Sequence, residues 1–146
     1  MSPARPIPEG FELLNGCGQF VDVNGPLFIS NAMEAVQLGF HVEQRHSNPF
    51  QTCHGGMLAT FCDMLMPFVA QRTLPELRDR YLPTVNISVD FLGPASVNSW
   101  ISGTALVLKV TRSMVFMQGV VRVDATAVAR TSGIFKIGPQ IGAAGG

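Results

Sequence analysis

The residue pattern predicts an α+β domain in which one long helix packs against a mostly antiparallel sheet, and three observations carry that reading. In residues 84–91, Val85, Ile87, Val89 and Phe91 alternate with Thr84, Asn86, Ser88 and Asp90, the period of two of a half-buried strand. Three further β-rich runs, at 98–110, 113–123 and 127–137, follow with only short turns between them, as antiparallel strands permit. Ahead of them, residues 55–72 are mostly apolar and long enough for a single helix, with Pro67 as its kink point.

The remaining elements follow in chain order. Residues 1–10 carry Pro3, Pro6 and Pro8 and no periodicity, so residues 1–19 read as a loose arm. Phe20–Val23, the Asn24-Gly25 pair and the run from Pro26 to Ile29 read as a short hairpin. Residues 35–42 suit a strand, and 46–53, with Asn48-Pro49, a loop. Residues 75–83 form a polar linker, and the Gly- and Ala-rich end from Gly138 reads as frayed. The expected organisation is therefore an arm (1–19), one domain (20–138) and a flexible tail (139–146).

A chain of 146 residues holds one compact domain. Hydrophobic residues make up 47% and charged residues 14%, well below the roughly 25% charged of a typical domain. So small a chain cannot hide that apolar surface alone, which points to a subunit interface or an apolar ligand pocket. With zero net charge and a pI near 6.8, nucleic acid and anionic membrane are poor partners. The start lacks the apolar core of a signal peptide, and residues 57–70 are too short to span a bilayer, so a cytoplasmic protein is expected. Cys17, Cys53 and Cys62 are an odd, scattered set that suits reduced thiols. Asn86-Ile87-Ser88 fits a glycosylation acceptor but carries no weight without an export signal.

Within 57–70 the one charged residue is Asp63, on a stripe with Gly56, Thr60 and Pro67 at helical spacing. A carboxylate on so apolar a helix is paired, exposed or held for use as a base, and the pattern alone leaves these open. His54-Gly55-Gly56 stands at the helix start, where unpartnered N–H groups and the helix dipole can meet a developing negative oxygen. An isolated Gly-Gly pair is as readily a flexible helix entry.

The run Asn48-Pro49-Phe50-Gln51-Thr52-Cys53-His54-Gly55-Gly56, with Asp63 nine residues after His54, resembles the signature of PaaI-like hotdog-fold acyl-CoA thioesterases. Residues 84–95 are similar to the strand after the central helix in that family, and Lys109-Val110-Thr111-Arg112-Ser113 to its next hairpin. The similarity runs over residues 20–138, and Gln51 stands where the family has glycine. The resemblance implies a hotdog fold, with the long helix wrapped by a curved sheet, and hydrolysis of an acyl-CoA thioester to free acid and CoA without metal or cofactor. It implies Asp63 as the general base for water, or as a nucleophile, and the Gly55 N–H as the group polarising the thioester carbonyl. Asn48 would orient the thioester or water, His54 would support the loop, and Thr84 would place a hydroxyl near the water. Gly56, Asn86, Lys109, Arg112 and Ser113 would bind substrate, with Lys109 and Arg112 on the CoA phosphates. As residues alone, that basic pair is equally an ordinary surface feature. Met57, Met64, Met66, Met114 and Met117 could form an adaptable acyl pocket, although core packing is methionine's commoner use.

Other chemistries fit less well. Cys53 and His54 are adjacent and point to opposite sides of an extended segment, and with Cys62 they lack zinc-ligand spacing. A hotdog enoyl-CoA hydratase would need an Asp in the loop before His41 or His46, and none is there. A non-catalytic acyl-CoA binder that regulates DNA would need a DNA-binding domain for which there is no room. Finally, Gly55 and Asp63 are eight residues apart, about 12 Å along a helix, yet both must lie about 3 Å from one reacting centre. Two helices side by side about a two-fold axis solve this, giving two identical sites in a homodimer, or in a dimer of dimers.

Overall fold

The computed structural model describes residues 6–31 and 35–142. The elements run β1 (Phe11–Leu13), α1 (Gln19–Asn24), β2 (Phe28–Ser30), β3 (Gln37–His41), α2 (Gly55–Thr73), β4 (Thr84–Phe91), β5 (Trp100–Val110), β6 (Met114–Val123) and β7 (Thr126–Lys136). Short 3-10 turns occupy Gln44–His46 and Pro75–Leu77. The strands form one sheet in the order β1-β2-β3-β5-β6-β7-β4, with every neighbouring pair antiparallel. The chain leaves β3, crosses the sheet as α2 and returns as β4 on the far edge. This is the α+β hotdog layout expected above: one long helix against one antiparallel sheet.

The core lies between α2 and the sheet. Leu58, Phe61, Cys62, Leu65, Met66 and Val69 of α2 are buried, facing Ile101, Val115, Met117, Val121 and Phe135. Two strand glycines let the helix approach the sheet closely. A Cβ at Gly103 would lie 2.7 Å from Leu65, and one at Gly133 would lie 2.8 Å from Met66. Overpacking of that kind costs about 1–3 kcal/mol.

Three expectations need correction. Residues 19–24 form α1 rather than a hairpin arm, because Asn24-Gly25 ends a helix: the Gly25 N–H donates to the Val21 carbonyl at 2.6 Å. Pro26 has no N–H for a hairpin ladder, and β2 pairs instead with β1, which lies inside the presumed arm. Residues 138–141 are held: Gly138 N–H donates to Tyr81 O, Tyr81 N–H to Pro139 O, and Ile141 N–H to Asp79 O. The first five residues of the arm and the last four of the tail lie outside the described residues. Among the described residues, no helix is long and apolar enough to cross a membrane.

Candidate active site

The loop before α2 is built around Asn48. Its Oδ1 accepts from the N–H groups of Phe50 (2.9 Å) and Thr52 (3.2 Å), while its Nδ2 donates to Thr52 Oγ1 (2.9 Å). The side chain thus ties its own loop together, as Asn does in turns. Gln51 has φ of 62°, the left-handed region that favours glycine, so the loop takes a glycine-like path despite the side chain. Gln44 Nε2 donates to Gln51 Oε1 at 2.6 Å and steadies that residue.

At the helix start His54 is the N-cap: its Nδ1 accepts the Gly56 N–H at 2.9 Å. The N–H groups of Met57 and Leu58 both donate to the His54 carbonyl. Among the first four amides of α2, Gly55's alone makes no hydrogen bond to the described residues. An unpartnered N–H at a helix N-terminus is a ready donor to a negatively charged group. The Phe91 ring lies beside Gly55, 3.5 Å from where a Gly55 Cβ would stand.

Asp63 lies two turns further on, half-buried, and forms no ion pair among the described residues. Thr84 Oγ1 donates to its Oδ1 at 2.5 Å. Strict alternation would put Thr84 with Ser88 and Asp90 on the sheet face away from α2. A register irregularity between Thr84 and Asn86 breaks that alternation and turns Thr84 to the helix. Pro67, four residues after Asp63, has no N–H to donate to the Asp63 carbonyl, which loosens the helix there. Asp63 and Thr84 both line a cavity of about 520 Å³ between α1 and α2.

The other expected site residues are spread out. Asn86 is exposed on the face of β4 opposite Ile87 and Val89, which pack on the core, so it does not reach Asp63. Lys109, Arg112 and Ser113 are exposed on the β5–β6 hairpin. The register aligns Thr84, Phe135, Val115 and Val110 in one row, which puts that hairpin at Thr84's end of the sheet. Three strand spacings separate them, about 14 Å. Cys53 and Cys62 are inert: burial pushes their thiols up to about 12 and about 11 respectively. For Cys62, a Thr131 hydrogen bond works against burial and the Asp63 charge adds to it.

Comparison with known proteins identifies the family of the chain. The sequence pattern of the Thioesterase superfamily matches residues 50–130, more than half the chain and including Gly55, Asp63 and Thr84. A Pseudomonas aeruginosa protein named "putative esterase" is 29% identical over 90% of this chain and 97% of its own length. Escherichia coli PaaI, from the phenylacetic acid degradation operon, shares the fold with a TM-score of 0.70 at 19% identity, over 84% of this chain and 86% of that one. BH2602 of Bacillus halodurans, solved with CoA, shares it with a TM-score of 0.65 at 20% identity, over 73% and 69% of the two chains. On the match across residues 50–130, this chain belongs to the thioesterase superfamily.

Proposed function

We propose that this chain hydrolyses acyl-CoA thioesters as a homodimer whose sites each combine Asp63 of one chain with the Gly55 N–H of the other. The Gly55 N–H, unbonded among the described residues, carries the reading, on a helix whose mid-section holds no charge but Asp63. In the proposed step, the Asp63 carboxylate takes a proton from water as the water oxygen attacks the thioester carbonyl carbon. The carbonyl electron pair moves to oxygen, where the Gly55 N–H holds it. Collapse breaks the C–S bond, and the proton passes from Asp63 to the departing CoA sulfur. Thr84, bonded to Oδ1, leaves Oδ2 for the water; Asn48 and His54 act as positioning residues for the loop and helix start. BH2602's complex supports coenzyme A as the thiol portion.

The edge strand supports the dimer. β4 begins beside Asp63 and ends with Phe91 beside Gly55. Antiparallel pairing of two β4 edges about their midpoints would set the Thr84 end of one chain against the Phe91 end of the other. Asp63 would then face the partner's Gly55. Val85 and Phe91 are each 55% exposed on that edge strand and Phe50 is 86% exposed, apolar surface that such a contact would cover.

Incubating the purified protein with a panel of acyl-CoA thioesters should release free thiol, and no release from any of them would overturn the reading. Thr84→Ala is expected to lower kcat by about tenfold, the worth of one hydrogen bond to a carboxylate, while Thr84→Ser retains most of it. An unchanged kcat in Thr84→Ala would mean that this hydrogen bond is idle. Replacing Lys109 and Arg112 together by alanine should raise KM about three- to tenfold at low salt, the gap closing as salt rises. Equal KM values at low salt would move the phosphate contacts elsewhere.

A further inference from the structure

Resting on the acyl-CoA reading, we propose that the acyl group lies between α1 and α2 of a single chain, in a slot that selects uncharged, apolar acyl groups up to about ten carbons long. The slot is the cavity of about 520 Å³ that opens on Asp63 and Thr84, within the roughly 300–1,000 Å³ of small-molecule pockets. Cys17, Phe20 and Val21 wall one side and Met64, Pro67 and Phe68 the other.

The lining charge sets the first part of the selection. Among the described residues, Asp63 is the one charged side chain in the lining, which there holds no Lys, Arg or His. The far carboxylate of a dicarboxylic acyl group would enter a largely apolar slot beside another carboxylate, with no cation among the described lining residues to meet it. Arg72 reaches Cys17 through its charge, but it lines a separate hollow with Arg78.

Helix geometry sets the length. Asp63, Met64, Pro67, Phe68 and Gln71 line the slot along one stripe of α2, eight residues or about 12 Å from first to last. An extended chain advances roughly 1.2 Å per bond, as three backbone bonds span about 3.6 Å. About ten carbons therefore reach from Asp63 to Gln71, whose Nε2 is fixed on the Arg80 carbonyl at 2.8 Å. The α1 wall is also tied in place. His46 Nε2 donates to the Asn24 carbonyl at 2.6 Å, while its Nδ1 accepts the Glu43 N–H at 3.0 Å, and Arg45 donates to the Val23 carbonyl.

The test is a rate series over straight-chain acyl-CoA thioesters from acetyl to palmitoyl, with succinyl-CoA added. We expect kcat/KM to rise about fourfold per methylene up to eight to ten carbons and then level or fall. Succinyl-CoA should run roughly a hundredfold or more below butyryl-CoA, the cost of an unpaired carboxylate in an apolar slot. Phe68→Trp, which narrows the slot, should shift the optimum down by two or more carbons. A flat profile, a preference for succinyl-CoA, or an unmoved optimum in Phe68→Trp would overturn the slot while leaving the hydrolase reading intact. If no thioester is cleaved, the hydrolase reading falls, and binding decides the slot. Octanoyl-CoA, but not succinyl-CoA, should then slow alkylation of Cys17 by iodoacetamide at alkaline pH, followed by mass spectrometry. Equal labelling with and without octanoyl-CoA would overturn it.

Discussion

Asp63→Asn is expected to fold as the parent does and to lose two or more orders of magnitude in kcat. The substitution keeps the shape and volume of the side chain, and an amide oxygen can still accept the Thr84 hydroxyl now 2.5 Å away. The surroundings ask little of the charge for stability, since Asp63 makes no ion pair among the described residues. What the amide cannot do is take a proton from water. No neighbouring group replaces it. Burial holds Cys62 up to about 11, and His54 Nδ1 is engaged by the Gly56 N–H. Circular dichroism and thermal melting would establish the fold, and thiol release the rate. A variant within threefold of its parent would remove Asp63 from the chemistry.

Where the sequence pattern succeeded and where it failed has physical causes. The helix expected at residues 55–72 is Gly55–Thr73, and the four β-rich runs are β4 to β7 with ends moved by a residue or two. Those elements have local signals: a long, mostly apolar run, or alternation against a buried face. Phe20–Ile29 failed because Asn24-Gly25 serves equally as a hairpin turn and as a helix end. The choice was made at a distance, by His46 and Arg45 donating to the carbonyls of Asn24 and Val23. The Gly- and Ala-rich composition from Gly138 suggests fraying, whereas Gly138–Ile141 is held by hydrogen bonds to Asp79 and Tyr81 that no local pattern announces.

The site divides in the same way. Asp63 and Gly55 stood out as a lone charge and a side-chain-free helix start. Period two would have grouped Thr84 with Asn86, yet an irregularity in register turns one to Asp63 and leaves the other outside. Alternation carries no sign of such a shift. The slot's wall of Cys17, Phe20 and Val21 was also missed, because it depends on the misread α1. One signal was available. Gln51, at a glycine position of the resemblance, adopts the φ of 62° that a glycine would.

The central claim is that each site is shared, and two disabled chains in one dimer test it most directly. One chain carries Asp63→Asn. The other carries Gly55→Pro, which removes the proposed oxyanion donor. Proline suits the first position of a helix, and His54, with φ −59° and ψ 138°, already has the conformation that precedes one. A methylene at Gly55 would meet Phe91 at 3.5 Å, an ordinary contact. Because the two groups lie about 12 Å apart along one helix, a mixed dimer would hold one site with both defects and one with neither. Co-expression with two affinity tags would isolate that species for thiol-release assay. The account predicts about half the parent activity from the mixed dimer, with each pure mutant inactive. A folded mixed dimer as inactive as its parents would contradict it.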